Sequence, residues 1–326
     1  MNKILTAVVF AACAVAVAGN AGPGEAQQTR NLSIVTGGTG GVYYPLGGGL
    51  ANLLTKYVPG WQVTSEVTGG SVDNLKLIGT QKADIGFTMA DASLDAMRGN
   101  DKFKGAPVQH LTLAVLYPNN MHVVTTAATG ITKMSDLKGK RVSTGSAGSA
   151  TEVMAFRVIE AAGLDKDKDM TRERLGAAES TNALKDRKID AYFWVGGLPT
   201  AAVTDLAATP GTKIVMVDHA ETVAKMNEKY GPLYAPGKIP LAMYPGMAKD
   251  NQIATVWNIL VVPPSMPDDV AYNITKTIFE KNAEWATVHA EAKNVTLENQ
   301  KAANSPVKFH PGALKYLTEK GIKIAN

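Results

Sequence analysis

The stretch IVTGGTGGVYYPLGGGL, residues 34–50, contains seven glycines in seventeen positions. The apolar pair Ile34-Val35 is typical of the end of a short strand, and apolar residues recur at helical spacing from Leu46 to Tyr57. A strand that runs into a glycine loop and then a helix presents free N–H groups and the positive end of the helix dipole. Because glycine costs conformational entropy on folding, we expect this loop to approach an anionic ligand rather than to form only a tight turn.

The motif does not specify which anion binds. The dinucleotide fingerprint G-x-G-x-x-G fails, because Tyr43 stands where a glycine would have to follow Gly38 and Gly40. A phosphate-binding P-loop is excluded as well, because no Gly-Lys-Ser/Thr follows the loop. Phosphate is therefore not specifically indicated, and a carboxylate fits equally well.

A second loop of small residues, Gly145–Ser149, lies between a strand-like segment at 141–144 and another helical pattern. The hydroxyl groups of Ser146, Ser149 and Thr151 can donate hydrogen bonds to carboxylate oxygens. Ordinary capping of the helix by Ser149 is the other interpretation of this loop. The two loops together indicate a ligand held between two parts of the chain.

The alternation of strands and helices predicts an α/β fold, with mainly parallel sheets flanked by helices. Two strand-loop-helix cycles predict two similar lobes with a ligand cleft between them. We expect lobe I to comprise residues 31–120 plus 245–326, and lobe II residues 121–244. Proline-containing connectors near Tyr117-Pro118 and in Gly231–Gly246 would form the hinges about which the lobes close.

The N-terminus is typical of a secretory signal peptide. Lys3 precedes an apolar stretch, Ile4–Ala18, which is shorter than the roughly 20 residues that a membrane span needs. We expect a signal peptide over residues 1–26, cleaved between 18 and 26, and a soluble mature protein in the periplasm. Cys13, the only cysteine, lies inside this stretch behind an imperfect lipobox, which favours a bystander over a lipid attachment point.

Composition and motifs argue against several other classes of protein. A net charge of +4 without a dense Lys/Arg run disfavours nucleic acid as a partner. The five histidines form no metal-binding pattern, and a G-x-S-x-G motif is missing, so we expect no catalytic residue, metal or cofactor. Positions on a helix surface or at a helix cap explain Asp84, Asp91 and Asp95 better than a role in acid/base catalysis. Phe193 and Trp194 lie in a strand-like run, which favours the core.

Several longer motifs carry a family resemblance. TGGTGGVYYPLGGGLA, TGGSVDNLKLI, SDLKGKRVSTGSAGSATEV, IDAYFWVGGLPT and FHPGALKYLTEKG resemble the TAXI family, the extracytoplasmic solute-binding receptors of TRAP transporters. The match runs in order from about Asn31 to the C-terminus. It implies a monomeric, two-lobed periplasmic binding protein of type II-like fold. Such a protein closes on a small carboxylate and delivers it to the transporter's membrane subunits.

The resemblance also implies a ligand class and a set of ligand-binding residues. Family ligands are glutamate-like amino acids or dicarboxylates such as 2-oxoglutarate. The residues that correspond to the ligand shell by position are Gly40, Gly41, Val42, Tyr43, Ser71, Asn74, Ala90, Ser146, Ser149, Thr151, Gly196 and Gly197. Ser71 would also cap the helix that begins there.

The chain departs from the family in one segment. It has Thr88-Met89-Ala90-Asp91 where many relatives have Val-Gln-Ser-Asp, so hydrogen-bonding groups are lost from the cleft. No arginine obviously supplies the bidentate clamp of other TRAP receptors, so backbone and hydroxyl donors would do most of the binding. Two other functions stay open. A periplasmic sensing module for a signalling partner would use the same fold, whereas an enzyme would need a convergent nucleophile, base and metal set that the sequence lacks.

The imperfect lipobox leads to the first prediction. We expect the mature protein to carry neither a lipid nor Cys13, because the small-residue cleavage sites lie downstream of that cysteine. Intact mass spectrometry of the protein secreted by its native host measures this directly. A mass that corresponds to an acylated N-terminal cysteine would contradict it.

Overall fold

Strands and helices alternate along residues 29–325, which are the residues that the computed structural model describes. The predicted signal peptide lies outside the described residues. The strands are Arg30–Val35 (β1), Trp61–Glu66 (β2), Ile85–Met89 (β3), Leu111–Thr126 (β4), Lys140–Ser143 (β5), Met170–Glu173 (β6), Ala191–Gly196 (β7), Ile214–Met216 (β8), Tyr234–Ile239 (β9) and Asn251–Val262 (β10). The helices are Tyr43–Tyr57 (α1), Ser71–Gly79 (α2), Ala90–Arg98 (α3), Ala150–Ala161 (α4), Ala177–Lys185 (α5), Ala201–Ala207 (α6), Val223–Tyr230 (α7), Asp268–Glu280 (α8), Asn282–Trp285 (α9) and Pro311–Glu319 (α10).

The described strands form one continuous sheet in the order β2-β1-β3-β10-β4-β7-β5-β6, with β9 beside β10 and β8 beside β4. The outer strands are parallel, in the groups β2-β1-β3 and β7-β5-β6. The prediction of an α/β fold with parallel strands flanked by helices is confirmed. The strands that join the two parallel groups, β4 and β10, are antiparallel to their neighbours.

The long strands β4 and β10 each run through both halves of the sheet. The first half of β4 pairs with the end of β10, and its second half pairs with β7. Tyr117-Pro118 therefore lies inside a continuous strand, not in a loop between two strands. The region 231–246 contains β9, which pairs with the first half of β10. The chain therefore passes between the lobes for the second time within β10, and not within 231–246. For the lobe boundaries we propose residues 29–118 plus 257–325 for lobe I, and 119–256 for lobe II.

The backbone ladder is interrupted where the lobes join. Pro118 has no N–H to donate to the neighbouring strand. Opposite it, the pairing of β10 with β4 shifts register between Trp257 and Ile259. A register shift of this kind bends a strand and leaves a residue unpaired. Bending between the lobes therefore disturbs few hydrogen bonds at this point.

The helices cover both faces of the sheet. In lobe I, α1 packs Leu46, Leu50 and Leu54 into a core that also contains Phe87 of β3. A second core follows the other face across both lobes, from α2 and α3 to α4. The helical segment after β10 is broken at Lys281, and the shorter α9 places the Trp285 indole where it donates to the Leu46 carbonyl, 2.9 Å away.

Two neighbouring glycines of α1 differ in the space around them. A Cβ at Gly47 would lie 2.2 Å from Cγ2 of Thr36, whereas one at Gly48 would meet nothing closer than the Ser65 hydroxyl at 3.8 Å. Thr36 cannot easily turn away, because its hydroxyl donates to the Glu66 carbonyl at 2.7 Å.

We predict that Gly47→Ala destabilises the protein by about 1–3 kcal/mol, since it overpacks the contact between α1 and β1. Gly48→Ala is the matched control, and we expect it to stabilise the protein by about 0.5–1 kcal/mol through helix propensity alone. Urea unfolding midpoints measure both changes. Equal midpoints for the two variants would show that this contact does not limit the packing of α1.

Candidate ligand-binding site

A cavity of about 360 Å³ lies between the two halves of the sheet. Its lobe I wall comes from the β1–α1 loop and the start of α2. Its lobe II wall comes from the β5–α4 loop, the segment Arg174–Glu179 and the end of β7. Tyr117 and Asn119, on β4 at the junction of the lobes, line it as well.

Within the described chain, the first turns of four helices line this cavity. They are the starts of α1 at Tyr43, α2 at Ser71, α4 at Ala150 and α5 at Ala177. The first N–H groups of a helix have no acceptor within it, and that end carries a partial positive charge. Four such ends around one cavity favour a negatively charged group in it.

Most of the residues predicted to bind ligand do line the cavity. These are Gly40, Gly41, Val42, Tyr43, Ser71, Ser146, Ser149, Thr151 and Gly196. Asn74, Ala90 and Gly197 do not. Asn74 is fully buried and holds the wall together instead. Its Nδ2 donates to the carbonyls of Thr36 and Phe87 at 2.6 and 2.8 Å, and its Oδ1 accepts from the Thr68 hydroxyl at 2.6 Å.

The predicted hydroxyl donors all have protein partners. Ser149 is the N-cap of α4, where its oxygen accepts from the Glu152 N–H and its hydroxyl donates to the Ser146 carbonyl. The Ser146 hydroxyl donates across the cleft to the Gly69 carbonyl at 3.1 Å, and Thr151 accepts from the Val195 N–H at 3.4 Å. Ser146 and Ser149 therefore have no O–H left for a ligand, whereas the Thr151 O–H and the backbone N–H groups remain as donors.

The prediction that Ser71 caps α2 is wrong. The N-cap is Gly70, whose φ of 119° suits a residue without a Cβ. Ser71 is the first helical residue, and its hydroxyl oxygen accepts from the Met89 N–H at 3.2 Å. This contact ties the start of α2 to the end of β3 beside the cavity.

The first glycine loop packs directly against the other lobe. A Cβ at Gly41 would lie 2.8 Å from the Trp194 ring, and one at Gly40 would lie 3.1 Å from the Ala178 backbone nitrogen. Trp194 was expected in the core, but it lines the cavity and its indole donates to the Thr200 hydroxyl at 3.1 Å. Gly40 and Gly41 are thus required for the close approach of the two lobes.

The segment Arg174–Glu179 also lines the cavity but was not among the residues predicted to bind ligand, although its sequence pattern favours such a position. It repeats the strand-loop-helix pattern with one glycine, Gly176, which is the N-cap of α5. Arg174 lies at the cavity edge with its guanidinium 2.7 Å from Glu152. The buried Glu152 carboxylate also contacts Lys102 of lobe I at 3.1 Å. Arg174 is therefore paired within lobe II, and the same Glu152 carboxylate connects lobe II to Lys102 of lobe I.

The inner end of the cavity, at the junction of the lobes, holds a network of amides and phenols. Asn258 of β10 donates from Nδ2 to the Tyr117 carbonyl at 3.1 Å. Its Oδ1 accepts from Asn119 Nδ2 at 2.7 Å and from the Tyr43 hydroxyl. Burial raises the pKa values of Tyr43 and Tyr117 above the ordinary range, so both phenols stay protonated.

The family assignment follows from the sequence. The chain belongs to the NMT1-like family. The model of that family matches residues 34–321. Among residues 29–325, no helix is long and apolar enough to cross a membrane, and no group of three or more His, Cys, Asp or Glu side chains could hold a metal ion.

Solved structures share the fold at low sequence identity. The periplasmic binding protein BugD is 13% identical, with a TM-score of 0.54 and coverage of 91% of this chain and 99% of that chain. A protein from Bordetella bronchiseptica RB50 is 18% identical, with a TM-score of 0.52 and coverage of 90% and 89%. The periplasmic aliphatic sulphonate binding protein SsuA from Escherichia coli is 14% identical, with a TM-score of 0.45 and coverage of 82% and 80%. The two closer superpositions show the two-lobed α/β fold of periplasmic binding proteins.

A buried ionic cluster connects the lobes behind the cavity. Arg157 of α4 donates to Asp95 of α3 and, at 2.6 Å, to the Tyr234 hydroxyl of β9. Tyr234 in turn donates to Asp91 at 2.9 Å. Asp91 and Asp95 are therefore not the surface residues that the sequence suggested. Burial raises the pKa of Asp95 to about 6 even though Arg157 opposes the shift, because one guanidinium faces two carboxyls.

We predict that Arg157→Met destabilises the protein by about 3–5 kcal/mol at pH 8, because it leaves buried carboxylates without a cation. The loss is smaller at pH 5. There the folded variant binds a proton at a carboxyl whose pKa is raised, whereas the unfolded chain, with an ordinary carboxyl pKa near 4, does not. Stability of the variant therefore falls as the pH rises from 5 to 8.

Urea unfolding at the two pH values measures this difference. Arg141→Met is the matched control, since Arg141 forms a largely exposed pair with Asp190 at 2.7 Å. Such a pair contributes at most about 1 kcal/mol. If Arg157→Met cost no more than this control at pH 8, the cluster would not stabilise the contact between the lobes.

Proposed function

We propose that this protein is an extracytoplasmic solute-binding protein that captures a small carboxylate in the cleft and delivers it to the membrane subunits of a TRAP transporter. The observation that carries the proposal is the cavity itself, which lies at the junction of two lobes and collects the starts of α1, α2, α4 and α5. The protein performs no chemistry on its ligand. The predicted signal peptide supports a periplasmic location.

The arrangement of charge supports a carboxylate over an anion with more than one charge. The basic side chain at the cavity edge, Arg174, is already paired with Glu152, and Glu179 adds a negative charge nearby. A ligand would therefore meet fixed backbone dipoles and not a cluster of free cations. Such dipoles suit a single carboxylate, whereas a phosphate with two charges is better matched by arginine.

The TRAP assignment rests on the motifs that resemble the TAXI family. Two of them, around Gly40 and Ser149, form opposite walls of the cavity. The fold shared with BugD agrees with a binding protein in the periplasm. A glutamate-like amino acid or a dicarboxylate such as 2-oxoglutarate is the expected ligand.

We predict that L-glutamate or a related carboxylate raises the melting temperature and decreases the radius of gyration, because it binds the closed form of the folded protein. A thermal-shift screen of amino acids and small carboxylates identifies the ligand, and small-angle scattering then measures closure. An unchanged radius at saturation would contradict closure, and a screen without any shift would contradict the carboxylate assignment.

Closure on the ligand requires the approach of Gly41 to Trp194. Gly41→Ala places a methyl group against the ring, so we expect it to weaken binding of the ligand found in the screen roughly 5- to 150-fold, the equivalent of about 1–3 kcal/mol of overpacking. Gly48→Ala is the control, because Gly48 does not line the cavity and a Cβ there meets nothing closer than the Ser65 hydroxyl at 3.8 Å. Calorimetric titration that gives equal affinities for the two variants would show that this contact does not limit closure.

A further inference from the structure

Two polar atoms at the inner end of the cavity have no hydrogen-bond partner. Among the described residues, the Tyr117 hydroxyl and the Asn119 Oδ1 are buried and unpaired, and both residues line the cavity. Tyr117 is 0% exposed and Asn119 is 2% exposed, so bulk water does not reach them freely. A buried polar group without a partner is costly, and such a group beside a ligand cavity calls for a ligand atom as its partner.

The neighbouring residues determine which atom of the Asn119 amide has no hydrogen-bond partner. The Tyr117 carbonyl can only accept, so the atom of Asn258 that faces it is the amide nitrogen. The other atom of that amide, Oδ1, then faces Asn119, which must present its own nitrogen. Oδ1 of Asn119 is therefore the unpaired atom, and it is an acceptor only.

Apart from the Tyr117 hydroxyl, which can donate as well as accept, this end of the cavity offers acceptors. The Tyr43 hydroxyl already donates to Asn258, so it has no O–H left to donate to a ligand. Negative charge from Asp91 acts on Tyr43, and negative charge from Glu291 acts on Tyr117, both adding to the effect of burial on their pKa values. This end therefore differs in polarity from the helix starts that form the walls.

We propose that the ligand carries a hydrogen-bond donor, an ammonium or hydroxyl group, next to its carboxylate, and that Asn119 is the residue that selects for it. The donor binds Oδ1 of Asn119 and the Tyr117 hydroxyl at the junction of the lobes. Asn258 is a positioning residue, since it acts only by fixing the Asn119 amide. This inference rests on the proposed function, because it assigns one end of the same cavity.

Ligands that differ at one carbon test the inference. The first series is L-glutamate, L-2-hydroxyglutarate, 2-oxoglutarate and glutarate, and the second is L-alanine, L-lactate, pyruvate and propionate. Calorimetric titration of the full-length mature protein gives each affinity. In the series that fits the cavity, we expect the amino or hydroxy compound to bind roughly 10- to 100-fold more tightly than the oxo and unsubstituted compounds, since these leave the acceptor unpaired.

Two outcomes separate the proposals. If 2-oxoglutarate or pyruvate binds as tightly as its amino or hydroxy counterpart, the donor inference is overturned while the carboxylate-binding function stands. If none of the eight compounds binds, the proposed function is overturned, and the donor inference with it.

Variants locate the selectivity in Asn119. Asn119→Ala should reduce the preference for the donor compound at least about tenfold while leaving the oxo compound's affinity nearly unchanged. Asn120→Ala is the matched control, because Asn120 is the next residue of β4 and does not line the cavity. Its nitrogen donates only long hydrogen bonds, of 3.3 and 3.5 Å, to backbone carbonyls. An unchanged preference in Asn119→Ala would overturn the assignment.

Tyr117→Phe provides a variant whose folding is not at risk. It removes an unpaired buried hydroxyl, so the ligand-free protein should be at least as stable as the parent. Binding of the preferred compound should nevertheless weaken severalfold. Asn258→Ala should lower the donor preference as well, because the Asn119 amide is then free to turn. An unchanged donor preference in Asn258→Ala would show that Asn258 has only a structural role.

Discussion

The pairing of β4 with β10 is the constraint on which the rest of the structure depends. Both strands run through the two halves of the sheet, so neither lobe has a sheet that is separate from the other. The parallel group β2-β1-β3 pairs with β10, and the parallel group β7-β5-β6 pairs with β4. The cavity lies where β4 and β10 run from one lobe into the other. Pro118 and the register shift at Trp257 weaken the ladder at the crossing without cutting it. The lobes can therefore move relative to each other while the sheet keeps its order.

The glycines between β1 and the middle of α1 serve two different purposes. Gly40 and Gly41 allow the loop to reach the lobe II residues Ala178 and Trp194, so they set how closely the cleft shuts. Gly47 serves the packing of α1 on Thr36, away from the ligand. A glycine cluster in a sequence indicates close approach, but the partner can be a ligand, another lobe or the helix's own strand.

Local patterns predicted the parts of the site that are contiguous in the chain. The β1–α1 and β5–α4 loops were found because strand, small-residue loop and helix follow one another there. In the segment Arg174–Glu179 a strand, a short loop and a helix also follow one another, but its single glycine was too weak a pattern to predict a binding loop. Trp194 and Asn258 could not be placed, since their role depends on which strands pair and in which register, and periodicity carries no information on that. Asn74 was placed in the ligand shell by resemblance, but three hydrogen bonds use its amide inside the wall.

Several contacts between the lobes are polar, and this suits a protein that must open again. Arg157 with Asp95, Lys102 with Glu152, and Ser146 with the Gly69 carbonyl each join one lobe to the other. Polar groups regain hydrogen bonds with water when they separate, whereas separated apolar surface gains nothing comparable. Polar contacts that become exposed to water in this way therefore add little to the free-energy difference between open and closed forms. A ligand that adds hydrogen bonds on both walls and at the crossing of β4 and β10 can shift it, because a ligand moves such an equilibrium only by its differential affinity for the two states.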